Sequence, residues 1–296
     1  MKKLKKIIIP VAGLGTRLLP ATKAIPKEML PVACKPIIQH VVEEAKEAGF
    51  KEIIFITHSS KSSIEDHFDT SYELEAALDK RIKRSLLKET KTISKLGVSI
   101  QSVRQGEAQG LGHAILVARN ITRDEPFAIL LPDMLIQNQN SLNNLGLMKK
   151  KFEENKTSSI LFSSALKKDI HRYGIAQIKK IKNFDGIGLV EKIIEKPNIK
   201  NAPSNLFAAG RYIFTPEIMK YLAKIVPNKN DEVELTEAID LYIKDGGQVL
   251  GYKLNGKVFD CGDKLGYSIA NIEFSKSDPE IGISLKKYIK NSVKNL

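Results

Sequence analysis

The chain has 296 residues, with 47 lysines and arginines against 34 acidic residues, a formal net charge of +13. A length near 300 and 42% hydrophobic content allow a sizeable buried core and exclude global disorder. The longest apolar runs, such as Phe127 to Leu131, are too short to span a bilayer, and Cys34 and Cys261 make neither a disulfide framework nor a CxxC metal pair. The basic N-terminus runs straight into a short apolar strand, with no signal-peptide core or cleavage site, so a soluble cytoplasmic protein is expected.

A charge of +13 fits nucleic acid, an anionic membrane surface or a small polyanionic substrate. Its distribution argues against the first two. Lys2, Lys3, Lys5 and Lys6 crowd the N-terminus, while Lys80, Arg81, Lys83 and Arg84 share one predicted helix. Lys286, Lys287, Lys290 and Lys294 lie on the last one. The patches are scattered and poor in aromatic residues, so a lysine-rich solvated surface is expected, with neither nucleic acid nor membrane as partner.

In chain order, Lys5–Val11 reads as a strand. Pro36–Ala48 reads as a helix, with Ile37, Ile38, Val41, Val42 and Ala45 on one face and Gly49 as its stop. Strands follow at Glu52–Thr57 and Val98–Arg104, a helix at Gly112–Asn120 and a strand at Pro126–Leu131. Ser71–Thr90 is a long polar, helical insertion. Strands alternating with helices predict βαβ units and a mainly parallel sheet buried on both faces. After residue 155 the spacing shortens. Strands at Ser158–Leu166, Ile175–Ile181, Gly188–Ile194 and Gly210–Phe214 predict mixed pairing and a second lobe. Helices at Pro216–Ile225 and Leu235–Lys244, strands at Gln248–Leu254 and Lys257–Phe259, and helices at Lys264–Phe274 and Pro279–Ser292 complete the chain. The expectation is a single α/β domain over 1–296: residues 1–155 a nucleotide half, 156–262 a sugar half, 263–296 C-terminal helices.

The strongest local signal is Gly13-Leu14-Gly15-Thr16-Arg17 directly after the first strand. Glycines there let backbone N–H groups approach phosphate oxygens. A dinucleotide fingerprint would need a third glycine where Leu18 stands, and a P-loop would need Ser or Thr after Gly-Lys, where Val258 follows Gly256-Lys257. Arg17 and Lys27 supply another route: a guanidinium that grips phosphate bidentately and an ammonium acting as a point charge. Pro20, Pro26 and Pro31 stiffen the segment between and around them. Asp133, at the end of an apolar strand, stands where ligands bind in open α/β sheets and suits Mg²⁺.

The stretch GLGTRLLPATKAIPKEMLPV over 13–32 resembles the signature of the bacterial UTP–glucose-1-phosphate uridylyltransferases, within the sugar-nucleotidyltransferase superfamily. The similarity continues through FDTSYELE (68–75), RQGEAQGLGHA (104–114), LPD (131–133), EKP (195–197), APSNL (202–206), GRY (210–212), LTEAID (235–240) and FDCGDKLGY (259–267), and so covers nearly the whole chain. The resemblance implies a Rossmann-like, glycosyltransferase-A-like nucleotidyltransferase fold, a central mixed, mainly parallel sheet flanked by helices. It implies Mg²⁺ as cofactor, and UTP and glucose 1-phosphate as substrates. It places Ala12, Gly13, Gly15, Thr16, Glu28, Gln105 and Gly110 at the nucleotide, with Gln105 reading the uracil edge. It places Tyr173, Gly174, Glu195, Lys196 and Gly210 at the sugar. Arg17, Lys27, Asp133 and Lys196 become the catalytic set. Asp260 is similar to the second metal-binding aspartate, with a turn-initiating Asp before Cys261-Gly262 as the competing reading. Met134 stands where some relatives carry a further acid. Specificity for dTTP or another sugar 1-phosphate stays open at this point, as does a non-catalytic binder. The family's habit, together with an amphipathic last helix carrying Ile283, Leu285, Tyr288 and Ile289, suggests a homodimer or homotetramer; those residues could equally pack on their own core.

Overall fold

The computed structural model describes residues 2–139 and 143–293; Lys294 lies outside them. Lys6–Pro10 forms β1, whose Ile7, Ile8 and Ile9 are fully buried. Pro31–Val32 (β2) and Lys35–Pro36 (β3) make a small antiparallel ribbon leading into α1, Ile37–Glu47. That helix buries the expected Ile37, Ile38, Val41, Val42 and Ala45, and Gly49 follows it at φ +81. Glu52–Thr57 is β4. Helix α2 (Ser62–Phe68) follows, and the insertion holds α3 (Tyr72–Lys80) and most of α4 (Arg84–Ser94). The helical stretch expected over Ser71–Thr90 is thus interrupted, at Ile82, whose φ is +55. Neither α3 nor α4 buries a residue completely, so the pair is an appendage rather than core.

Ser99–Arg104 is β5, Gly110–Val117 α5, Arg119–Thr122 α6 and Phe127–Leu130 β6. Next come β7 (Met134–Asn138), α7 (Asn144–Asn155), β8 (Ser158–Ser164), β9 (Ile175–Lys179) and β10 (Gly188–Ile194). Then follow β11 (Leu206–Phe214), α8 (Ile218–Leu222), α9 (Leu235–Lys244), β12 (Val249–Lys253) and β13 (Gly256–Asp260). Helices α10 (Lys264–Ser275) and α11 (Gly282–Val293) close the described chain. The expected elements do not include β2, β3, β7, α2 or α7. Yet α7 has a legible face, Leu145, Met148 and Phe152, and an Asn143 side chain that accepts from Gly146 N–H as its cap.

Nine strands form one sheet in the order β5-β4-β1-β6-β11-β8-β12-β10-β9. The first four run parallel. Beyond β6 the pairing turns antiparallel, except between β12 and β8. Parallelism therefore concentrates in the half built from βαβ units, where crossover helices force it. Adjacent residues of β1 feed opposite sides: Ile7 and Ile9 pack in the layer with α1 and α7, while Ile8 packs in the layer with α5, α8 and α9. Strands β7 and β13 pair separately as an antiparallel ribbon beside the end of β6. The C-terminal ends of β1 and β6 thus open toward the same side, where both candidate loops lie. Among the described residues, no helix is long and apolar enough to cross a membrane.

Candidate active site

The glycine loop folds back on itself. Thr16–Leu18 makes a single 3-10 turn after Gly15, which adopts φ +68. The Thr22 hydroxyl donates to the Gly15 carbonyl at 2.7 Å. A Cβ on Gly15 would stand 3.1 Å from Lys27 Cβ and 3.2 Å from Thr22 Cγ2, so glycine leaves the room that lets Lys27 pass beneath the loop. Lys27 Nζ then reaches Asp133 Oδ2 at 2.8 Å. Burial disfavours both charges, but the attraction of Asp133 and Glu28 leaves the Lys27 ammonium raised. Likewise, Lys27 and Arg17 outweigh burial and hold the Asp133 carboxyl below its ordinary value. Both groups are charged at neutral pH.

The second acid arrives on the β13 end. Cys261 N–H donates to the Asp133 carbonyl at 2.7 Å, fastening the two loops together. Asp260 Oδ1 accepts from Gly262 N–H at 2.9 Å, and its Oδ2 accepts from Tyr173 OH at 3.2 Å. Gly262 marks the convergence: a Cβ there would lie 2.5 Å from Arg17 Nη2, 2.9 Å from Asp260 Oδ1 and 3.2 Å from Asp133 Oδ2. No cluster of three His, Cys, Asp or Glu side chains suited to a metal occurs among the described residues. Two converging carboxylates could hold a divalent metal ion whose other ligands came from outside the protein. The Cys261 thiol is buried and pushed up by desolvation and by Asp133 and Asp260, which removes it as a nucleophile.

Two cavities meet at this centre, sharing Gly110, Leu111, Leu131, Asp133 and Glu232 in their walls. The first, about 500 Å³, gathers Ala12, Gly13, Gly15, Thr16, Lys27, Gln105 and Gly110. Gln105 is buried, with Nε2 3.3 Å from the Gly110 carbonyl and 3.0 Å from His113 Nδ1. Gly110 has φ +85, and a Cβ there would meet Glu232 Cβ at 2.9 Å. The second cavity, about 510 Å³, is lined by Arg17, Asp133, Tyr173, Gly174, Glu195, Lys196 and Asp260. Lys196, at φ +41, donates its N–H to the Tyr173 carbonyl at 3.0 Å, and its Nζ lies 3.2 Å from Glu195 Oε1. The Thr236 hydroxyl donates to Glu195 Oε2 at 3.3 Å, and the Tyr173 ring stacks on Phe207 with centroids 4.5 Å apart.

Two expected residues stand elsewhere. Gly210, at φ +74, faces Leu131 and Met134, where a Cβ would come within 3.0 Å of Met134 Cβ. It serves the close approach of β11 to the Asp133 turn and lines neither of these cavities. Glu28 is buried against Lys61 at 2.9 Å, lines neither cavity, and ties the segment after the glycine loop to the start of α2. Conversely, Arg172, Gly262, Glu232, Glu234 and Thr236 belong to the site without having been singled out. Arg172 adjoins the Tyr173-Gly174 pair, and the glutamates precede the LTEAID stretch, so proximity to known motifs was their only signal.

Burial and the nearby Glu195 push the Glu234 carboxyl up to about 7. The native state then holds a proton that the unfolded chain has released, so stability falls as pH rises from the ordinary carboxylate range toward 7. Glu234→Gln is therefore expected to raise Tm at about pH 8 by about 2 °C or more while leaving it nearly unchanged at about pH 4.5. Equal shifts at both pH values, in paired thermal melts, would contradict this.

A family model described as nucleotidyl transferase matches residues 6–276. The chain is 46% identical over 295 residues to the UTP–glucose-1-phosphate uridylyltransferase of Haemophilus ducreyi, an alignment spanning 98% of this chain and 100% of that relative. It is also 46% identical to the protein of that name in Escherichia coli K12, over 98% of this chain and 97% of that one. A solved structure described as a UTP-bound UGPase from Acinetobacter baumannii superposes with a TM-score of 0.89 at 40% identity, covering 97% of this chain and 98% of that one. The chain belongs to the nucleotidyl transferase family, within its UTP–glucose-1-phosphate uridylyltransferase branch.

Proposed function

We propose that this protein transfers uridylyl from UTP to α-D-glucose 1-phosphate, giving UDP-glucose and pyrophosphate. The observation that carries this reading is the paired cavity: two spaces of about 500 Å³ each meeting at Asp133, with Arg17, Lys27 and Lys196 on the walls. A phosphate oxygen of glucose 1-phosphate attacks the α-phosphorus of UTP in line. The bond from that phosphorus to the oxygen bridging to the β-phosphate breaks, and pyrophosphate leaves with the electron pair. The attacking oxygen is already ionised, so no general base is required. The work is positioning and neutralisation of two polyanions.

Residues 1–155 supply the nucleotide half of this single unit and 156–262 the sugar half. Ala12, Gly13, Gly15 and Thr16 offer backbone to the nucleotide, while Gln105 faces the base beside Gly110. Lys27 takes the triphosphate, Arg17 the leaving pyrophosphate and Lys196 the incoming phosphate. Glu195 accepts from sugar hydroxyls, next to Tyr173 and Gly174. Asp133 and Asp260 would hold Mg²⁺, which supplies charge neutralisation across the phosphates. The same reading includes a cytoplasmic location and a homodimer or homotetramer, for which exposed Ile283 and Tyr288 on α11 offer apolar surface.

The direct test is pyrophosphate release from UTP and glucose 1-phosphate, compared with dTTP, ATP and CTP. Turnover with UTP well above the others is expected; no release with any pair would sink the reading. Within it, Lys196→Ala is expected to raise KM for glucose 1-phosphate by about tenfold or more, the cost of one charge-assisted contact, with a much smaller change for UTP. Equal changes in both KM values, from steady-state kinetics, would point to another role.

A further inference from the structure

The cleft holds a cation to which the transfer just described gives no work. Arg172 ends the 3-10 segment Lys167–Arg172, directly before Tyr173. Its Nη2 lies 2.5 Å from Asp260 Oδ2 and also contacts Asp263 Oδ2. Its guanidinium sits over the Tyr173 ring, 5.4 Å from the centroid, while the Tyr173 hydroxyl donates to the same Asp260 oxygen. The side chain is partly exposed and faces the sugar-side cavity that Lys196 also lines.

Each acid assigned to the metal therefore has a resident cation. Asp133 has Lys27, and Asp260 has Arg172. The two pairs are not equivalent. Lys27 passes beneath the glycine loop with its side chain 17% exposed, whereas Arg172 is 28% exposed and faces the sugar-side cavity. Were Asp133 and Asp260 to hold a divalent cation, the guanidinium of Arg172 would lose Asp260 as a partner and be repelled at short range. Once displaced, the guanidinium remains tethered beside Tyr173, on the wall that Lys196 shares. A planar fork of donors there matches a phosphate dianion better than any neutral group nearby.

The geometry points to Arg172 as a phosphate ligand of the sugar-side cavity, held in reserve by Asp260 and Asp263 and handed to the sugar phosphate when a divalent cation takes Asp260. The assignment of that phosphate to a sugar 1-phosphate rests on the uridylyl-transfer reading. Two consequences follow by linkage. In the substrate-free protein Arg172 weakens metal binding, and metal and sugar phosphate each tighten the other's binding by the same factor.

The test uses Mn²⁺ alone as the metal probe, titrated into the substrate-free full-length protein and followed by electron paramagnetic resonance. Repeating the titration with glucose 1-phosphate, without nucleotide, measures the coupling. In the parent, glucose 1-phosphate is expected to tighten Mn²⁺ by about fivefold or more. In Arg172→Ala, Mn²⁺ should bind the free protein several-fold tighter, and glucose 1-phosphate should no longer tighten it. Arg172→Lys keeps the charge and should restore part of the coupling. Arg172→Gln, which keeps most of the side chain's length, should behave as Arg172→Ala and covers the case in which the alanine variant fails to fold. Unchanged or weaker Mn²⁺ binding in the neutral variants, or a coupling that survives them, overturns the proposal. The two readings fail separately: a parent that releases no pyrophosphate refutes the transfer, while Mn²⁺ binding to the free protein still reports on the competition at Asp260.

Discussion

Asp133→Asn is expected to lower kcat by about a thousandfold, the combined loss of a metal carboxylate and of preorganised charge. The substitution keeps the shape of the side chain, so the loop should still close through the Cys261 N–H bond to the residue-133 carbonyl. What changes is charge. Lys27 Nζ, 2.8 Å from Asp133 Oδ2, loses its closest counter-charge, and a divalent cation is left with Asp260, which Arg172 already contests. Raising Mg²⁺ in a pyrophosphate-release assay should recover little of the rate. Turnover near the parental value at ordinary Mg²⁺ would contradict the assignment. A second readout is independent of turnover. The Asp133 carboxyl is held below its ordinary value by Lys27 and Arg17 despite burial. Its contribution to stability is therefore full above the ordinary carboxylate range and is lost as pH falls through the native value. Acid unfolding of the parent should show that loss, and the variant's stability should vary less with pH in the same region.

The parts of this molecule that were legible in its sequence are those determined locally. Helix α9 starts and stops where its apolar spacing says, at Leu235 and Lys244. Helix α1 ends before a glycine that supplies the left-handed turn. The Arg17, Lys27 and Asp133 group was legible because two glycines and three prolines leave the intervening backbone few alternatives, and because a carboxylate closes an apolar strand. What escaped depends on partners far away in the chain. Met134–Asn138 ends in polar residues and becomes a strand only because Gly256–Asp260 pairs with it. Strand β11 begins at Leu206, before the expected Gly210, since its first residues pair with the end of β8. The same holds at the site. Arg172 joins the site because Asp260 and Asp263 arrive from 88 and 91 positions on. Gly210, expected at the sugar, has a positive φ that lets β11 pack on Leu131 and Met134 at the Asp133 turn. Motifs announce which residue types are present, whereas tertiary approach decides which of them face one another.

Arg17→Ala is expected to lower kcat by about a hundredfold, the scale on which removal of one preorganised charge-stabilising group is felt. Its effect on thermal stability should be small, because the residue is exposed and Lys27 remains as the closest counter-charge of Asp133. The more discriminating partner is Gly262→Ala. No positive φ constrains Gly262, so alanine is not excluded by backbone conformation. The added methyl would instead stand 2.5 Å from Arg17 Nη2, and the end of a flexible arginine can yield more cheaply than a strand or a turn. The adaptation should therefore fall on the catalytic geometry rather than on the fold. Tm should stay within about 3 °C of the parent, the span of one kcal/mol or less for a chain of this size. Meanwhile kcat should drop by about tenfold or more, since displacing one charged group from its working position forfeits much of its stabilisation. The two changes act on the same guanidinium, so their effects should not add. The double variant is expected to match Arg17→Ala alone within about twofold, as for substitutions that remove one shared interaction. Losses that multiply in the double variant would show that Gly262 serves the two carboxylates instead. In that event Asp260 Oδ1, 2.9 Å from the same point, is the group displaced, and the apparent affinity for Mg²⁺ should weaken alongside kcat.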